Sequence, residues 1–124
     1  MQPNEAIILA KGLDSLEPGA AFRAGVSLLN DDYPELLLTP SERLSELHPT
    51  DPRMFQLLGL AARAAGKGPL AFSAFGHAVR LAPTDPLIAH SFARSALDAG
   101  KPAVALFERA SRLAPQDGSV LIGL

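Results

Sequence analysis

The 124-residue chain has no cysteine, no tryptophan and a single tyrosine. Without cysteine, neither a disulfide framework nor a thiolate metal site can form. Long apolar runs are also missing, because no stretch approaches the roughly 18 apolar residues of a membrane-spanning helix. The chain opens without positive charge ahead of the short apolar run at residues 6–10, which argues against a signal peptide. We therefore expect a soluble, cytoplasmic protein.

Neither sign of charge predominates in the chain. The formal net charge is only -2, although residues 1–50 carry -5 and residues 51–124 carry +3. The excess of three positive charges in residues 51–124 is too small for the basic surface of a nucleic-acid-binding domain. We expect neither a nucleic-acid partner nor a membrane partner.

Proline and glycine are plentiful, with 11 and 10 residues, and most of them fall between apolar periodic stretches. Three similar phrases occupy residues 48–52, 82–86 and 114–118. Their prolines, Pro49, Pro83 and Pro115, recur at a nearly constant interval along the chain. Each phrase is typical of a helix end followed by a turn and an Asp N-cap, usually with Pro at the next helical position.

Paired helical patterns lie between these phrases. We predict helices over residues 53–65 and 69–81, and again over residues 87–99 and 102–113. Gly66-Lys67-Gly68 separates the first pair and Gly100-Lys101 the second, which is typical of a glycine helix stop. Helices joined by so few residues must run antiparallel.

Residues 52–85 resemble a tetratricopeptide repeat, whose pattern is aromatic-x2-Leu-Gly-x2-Tyr, then Ala-x3-Phe-x2-Ala and a final Pro. The matching residues are Phe55, Leu58, Gly59, Ala71, Phe75, Ala78 and Pro83, while Ala62 stands where Tyr is usual. The next unit is two residues shorter and matches with Phe92, Ala93, Ala103, Phe107, Ala110 and Pro115, while Ala89 and Ala96 stand where large aromatic residues are usual. The alternative is an ordinary helical bundle with a chance similarity.

The resemblance implies an all-α fold, a tetratricopeptide-type α-solenoid of antiparallel helix pairs wound in a right-handed superhelix. It divides the chain into a repeat at residues 51–85 and another at 86–117. Each pair has an apolar face that it cannot bury alone, so successive pairs stack.

The segment before the first clear repeat, residues 1–50, fits the pattern poorly. Asn4 is a candidate cap for a helix over residues 5–16, and Pro18 for the start of a second helix over 18–29. Thr39-Pro40-Ser41-Glu42 has the form of a capping box, which predicts a short helix ending near Leu47. We interpret residues 1–50 as an N-terminal helical cap or a degenerate repeat.

Residues 118–124 look like the first turns of a truncated further repeat, with Leu121 and Leu124 at positions for large residues. Such a helix exposes apolar surface at the end of the stack. We expect the chain to be the N-terminal piece of a longer protein. The alternative is a natural stop, covered by a homodimer contact through the uncapped C-terminal end.

Catalytic chemistry finds no support in the sequence. Gly66-Lys67-Gly68 lacks the other residues of a phosphate-binding loop. His48, His77 and His90 are not spaced as metal ligands on a helix, and no nucleophile elbow is present. We expect no catalytic residues, no metal site, no cofactor and no enzymatic activity.

In the tetratricopeptide family, positions 2, 5, 9 and 12 of each repeat line the concave face. The resemblance therefore implies a partner-binding groove formed by Arg53, Gln56, Leu60, Arg63, Leu87, His90, Arg94 and Leu97. The function that it implies is a scaffold or adaptor that binds a protein or peptide partner, with acidic groups facing the arginines. The alternative for the arginines is that they are merely solvated.

Two other functions stay open. One is an N-terminal repeat region that positions substrate for a larger bacterial enzyme of the sulfotransferase, glycosyltransferase or oxygenase type. The other is a self-associating structural module.

Overall fold

The computed structural model describes residues 1–114, which form a continuous series of helices. The helices are α1 (Pro3–Gly12), α2 (Pro18–Asn30), α3 (Pro34–Leu47), α4 (Pro52–Ala64), α5 (Gly68–Leu81), α6 (Pro86–Asp98) and α7 (Val104–Leu113). A short 3-10 turn, Leu13–Ser15, follows α1, and no strand occurs within the described range. Each helix packs against the next one along the chain, and α2 also reaches α4. The fold is an all-α repeat solenoid of antiparallel helix pairs, which confirms the predicted fold class.

The first helix of each pair begins in the same way. Proline occupies the first helical position of α2, α4 and α6, at the evenly spaced residues 18, 52 and 86. The carboxylate of Asp51 accepts the backbone N–H of Arg53 at 3.0 Å, and that of Asp85 accepts the N–H of Leu87 at 2.9 Å. These bonds satisfy donors that the first turn leaves free, so the predicted Asp N-caps are confirmed.

The same three helices also end alike, each followed by a residue with positive φ. These residues are Asp32 (φ 67°), Gly66 (φ 77°) and Gly100 (φ 71°), and they recur at the same interval as the helix-opening prolines. After α4, the N–H of Gly66 donates to the carbonyl of Arg63 and the N–H of Lys67 to that of Ala62. This is a Schellman motif, and the equivalent two bonds close α2 and α6. The α2–α3 pair is therefore built like the other two pairs.

Both ends of α1 differ from the sequence prediction. The helix begins at Pro3 rather than Glu5, and its N-cap is Gln2 rather than Asn4. Pro3 suits the first helical position because a backbone nitrogen there has no hydrogen-bond acceptor within the helix. The Glu5 carboxylate accepts the backbone N–H of Gln2 at 3.2 Å. The α-helix ends at Gly12, and only the 3-10 turn continues to Ser15.

The prediction that Pro40 opens a short helix is wrong. Pro34 opens α3, and Pro40 lies inside this helix, fully within its α-helical run. The helix forfeits the bond from residue 40 to the carbonyl of Leu36, a defect that costs about 3 kcal/mol in a free helix. Burial of Leu37 and Leu44, both completely inaccessible to solvent, offsets this cost. Tertiary packing thus overrides the local signal of the capping box.

The core follows the pattern that the sequence showed. The small residues Gly59, Ala62, Ala71 and Ala78 are all buried, and the fully buried ring of Phe75 packs against the first three. Small residues at these positions let the helices approach closely enough for one large ring to fill the space. The predicted repeat start at residues 118–124 lies outside the described residues. The division of the chain at residues 50, 85 and 117 stays a prediction.

Candidate partner-binding groove

A groove of about 490 Å³ lies between α2 and α4. Its lining residues are Val26, Leu29, Asn30, Leu60, Arg63 and Ala64. Two of the residues predicted from the sequence, Leu60 and Arg63, therefore lie side by side in it. The other face of the groove comes from α2 and is mainly apolar, since the half-buried Val26 and Leu29 line it beside Asn30.

Sequence reasoning missed the contribution of α2, although a signal for it exists. When α2 is counted from Pro18 as α4 is counted from Pro52, Val26 and Leu29 fall at positions 9 and 12. These are the positions of Leu60 and Arg63 in the next repeat. The even spacing of the helix-opening prolines would have identified both residues.

Two of the predicted arginines, Arg63 and Arg94, converge on one carboxylate. The Nε atom of Arg63 lies 3.1 Å from Oδ2 of Asp98, and the Nε atom of Arg94 lies 3.8 Å from Oδ1 of the same residue. We call these three residues the Arg–Asp–Arg cluster. Asp98 was not predicted as part of the site. Its presence reduces the formal charge of the cluster to +1, so the groove is less basic than its arginines alone suggest.

Arg53 has a different environment. Its Nη2 and Nε atoms donate to the two carboxylate oxygens of Asp51 at 2.8 and 3.1 Å. These side-chain hydrogen bonds hold the pKa of Asp51 below its ordinary value of 3.8. The same bonds raise the pKa of the Arg53 guanidinium. Because the Asp51 carboxylate already engages it at two points, Arg53 is less available to a ligand than Arg63 or Arg94.

The remaining predicted residues are more dispersed. On α6, Leu87 is 68% exposed and Leu97 is 58% exposed, so the helix presents apolar surface to solvent. The His90 ring meets the Phe107 ring edge-on, with 5.6 Å between their centroids, and this contact directs His90 toward α7. Gln56 on α4 is half-buried. None of these four residues lines the groove between α2 and α4.

A second cavity, of about 260 Å³, lies on the other side of Arg63. Its lining includes Arg63, Asp98 and Ser95, together with Gly66, Gly68 and Ala71 of the α4–α5 turn and α5. Arg63 therefore borders both cavities. Within residues 1–114 no group of three or more His, Cys, Asp or Glu side chains is arranged to hold a metal ion. None of the helices in that range is long and apolar enough to cross a lipid bilayer.

Comparison with known proteins gives support at the level of the fold. No family model matches the chain, and neither does any curated protein. A solved structure titled "MamA MSR-1 C2", a tetratricopeptide-containing protein, superposes with a TM-score of 0.72 and 19% sequence identity. The match covers 90% of this chain and 66% of that chain. The fold is therefore a tetratricopeptide-like helical repeat.

Proposed function

We propose that the chain is a non-enzymatic scaffold that binds an extended peptide segment along α2, α4 and α6. The observation that carries this proposal is the juxtaposition at Arg63. On one side of this arginine lies the apolar groove with Val26, Leu29 and Leu60, and on the other side lies Arg94. An apolar trough that leads to two guanidinium groups favours a ligand with apolar anchors followed by carboxylates.

We infer the arrangement of such a ligand from the order of the helices. Its apolar residues occupy the trough between α2 and α4, and its acidic residues reach the Arg–Asp–Arg cluster between α4 and α6. In an extended peptide, alternate side chains point the same way. Apolar and acidic residues at every second position therefore face the groove together.

A synthetic peptide with the sequence Ser-Leu-Ser-Leu-Ser-Glu-Ser-Glu, labelled with fluorescein, has this arrangement. Its affinity for the full chain is measured by fluorescence anisotropy, beside a counterpart with Gln in place of both Glu. We expect the Glu peptide to bind more tightly. Arg63→Glu should weaken its binding at least tenfold, because charge-assisted hydrogen bonds are replaced by repulsion.

Arg80→Glu is the matched control. Arg80 lies in the last turn of α5, as Arg63 lies in the last turn of α4, so both changes place the same charge at a helix C-terminus. Arg80 does not line the groove. Equal effects of the two variants, or equal binding of the Glu and Gln peptides, would contradict the proposal.

We also propose that residues 18–51 are the first of three repeats, which selects the degenerate repeat over the cap for this part of the chain. The helix-opening prolines and the positive-φ residues both support this division, because each set recurs at one constant interval. That interval equals the usual length of a tetratricopeptide repeat, about 34 residues. The groove between α2 and α4 is then an ordinary contact between successive repeats.

A second candidate function is self-association through α7. Val104 on this helix is 74% exposed. It borders a trough of about 530 Å³, together with Phe107, Glu108, Ser111 and Arg112. An exposed apolar side chain beside an open trough suits a contact with a second copy of the chain. Light scattering over a range of concentrations tests this candidate, since Val104→Glu should lower the mass only if the contact exists.

A further inference from the structure

We propose that Asp98 is an internal competitor for the carboxylate of a bound partner, and that it thereby sets the selectivity of the groove for acidic ligands. This inference rests on the proposed function. Asp98 contacts both Arg63 and Arg94, the two cations that the ligand's acidic groups would reach. In the free protein, one carboxylate of the chain itself thus takes the place of a ligand carboxylate.

The architecture of the repeat does not call for an acid at this position. Asp98 is the last residue of α6, and the equivalent last residues of α2 and α4 are Asn30 and Ala64. A carboxylate at the C-terminus of a helix also meets the negative end of the helix dipole, which is unfavourable. The contacts with Arg63 and Arg94 are therefore the interactions that favour an acidic residue at position 98.

The internal contact is weak enough for a ligand to displace it. The side chains of Arg63, Asp98 and Arg94 are 34%, 41% and 50% exposed, so water and salt screen their attraction. The separation of 3.8 Å between Arg94 and Asp98 exceeds hydrogen-bond range. In contrast, two short side-chain hydrogen bonds hold Arg53 to Asp51.

The displaced side chain also has space to occupy. Asp98 borders the cavity of about 260 Å³ whose wall includes Gly66 and Gly68, neither of which has a side chain. A change of the Asp98 side-chain rotamer in this space requires no movement of α4 or α6. Ligand binding then exchanges one carboxylate for another while the helices keep their positions.

Asp98→Asn tests the inference, because the amide keeps the shape of the side chain and removes its charge. Affinities of the full chain for the fluorescein-labelled Glu peptide and its Gln counterpart are measured by anisotropy. We expect the variant to bind the Glu peptide about two- to fivefold more tightly, the range that corresponds to loss of one exposed ion pair. Binding of the Gln peptide should not change.

Glu46→Gln is the control for net charge. Glu46 is an exposed acid in the last turn of α3 and lies outside the groove. It should leave both affinities unchanged, and thermal unfolding of each variant verifies that the fold is intact.

The remaining outcomes show whether the inference alone fails or the proposed function fails with it. If Arg63→Glu weakens the Glu peptide but Asp98→Asn does not tighten it, Asp98 is not a competitor and only the inference is overturned. An equal gain with Glu46→Gln overturns the inference as well, because net charge then explains the effect. If the Glu peptide does not bind the unaltered chain or the Asp98→Asn variant, both the proposed function and the inference fail.

Discussion

Gly59 on α4 lies directly against the ring of Phe75 on α5. A Cβ atom on Gly59 would lie 2.7 Å from Cε1 and 2.8 Å from Cζ of this ring, closer than carbon atoms can approach. The ring is fully buried, so it cannot move aside without disturbing the core. Gly59→Ala should therefore destabilise the protein by about 1–3 kcal/mol, as overpacking does in other cores. Urea unfolding monitored by circular dichroism measures the change.

Gly12→Ala is the matched control for that substitution. Gly12 is also helical, at the end of α1, but a Cβ atom there would meet nothing within 4 Å. This variant should be neutral or slightly stabilising, by up to about 1 kcal/mol, because alanine loses less backbone entropy on folding. Similar changes in the free energy of unfolding at both positions would show that the contact with Phe75 does not govern the effect at Gly59.

The turn after α2 offers a stabilising change. Asp32 has a φ of 67°, whereas glycine occupies the equivalent positions 66 and 100. The left-handed conformation is strained for a residue with a Cβ atom, and glycine relieves this strain. We expect Asp32→Gly to raise the free energy of unfolding by about 0.5–1 kcal/mol, again measured by urea unfolding.

The reciprocal change in the next repeat, Gly66→Asp, tests whether residues 32 and 66 are structurally equivalent. Gly66→Asp places the strained residue where the chain now has glycine, so it should destabilise by about 1 kcal/mol. Changes of opposite sign in the free energy of unfolding of the two variants would support the equivalence of the Schellman motifs after α2 and α4. The same sign for both would contradict it.

Pro40 predicts a second stabilising change. Within α3 it cannot donate to the carbonyl of Leu36, and Pro40→Ala restores this donor. Part of the gain is offset, because alanine makes the unfolded chain more flexible. The net increase in the free energy of unfolding should be about 1–2 kcal/mol. Pro34→Ala, at the first helical position of the same helix, should give no such gain; equal gains would mean that Pro40 is not the defect in α3.

The Asp51–Arg53 pair predicts a pH dependence of stability. Hydrogen bonds from Arg53 lower the pKa of Asp51 from its ordinary value of 3.8, so the folded state favours the ionised carboxylate. This stabilisation is present above about pH 4 and is lost as the pH falls through the lower pKa of the folded state. In Asp51→Asn, which keeps a capping side chain, this contribution should be missing. Thermal unfolding from acidic to neutral pH should show a steeper loss for the unaltered chain, and parallel curves would contradict the assignment.

The sequence predicted α4 to α7 well because their patterns combine three signals. The glycine stops, the Asp caps and the spacing of large and small residues all indicate the same boundaries, so the helices differ from prediction by only one or two residues. In the segment 1–50 local signals conflicted with packing. The capping box at Thr39 favoured a helix start, yet the buried Leu37 and Leu44 hold one helix on both sides of Pro40.

The candidate site was less predictable than the fold. Its arginines follow from their positions in the repeat, but Asp98 contacts Arg63 from a different helix pair, and repeat positions alone do not specify that ion pair. The contact depends on how close the end of α6 comes to α4 in the folded chain. Val26 and Leu29 were missed for a different reason, since the repeat to which they belong has Ala21 and Ser41 at the positions of Phe55 and Phe75 in the next one.

The most direct test of the binding groove is to map the Glu peptide onto the protein by NMR. Backbone amide shifts of the ¹⁵N-labelled full chain are recorded during titration with the unlabelled peptide. We expect the largest changes on α2, α4 and α6, centred on Leu29, Leu60 and Arg63, and at most small changes on α3 and α5. Changes confined to α7 around Val104 and Phe107, or equally large changes on α3 and α5, would contradict the proposed groove.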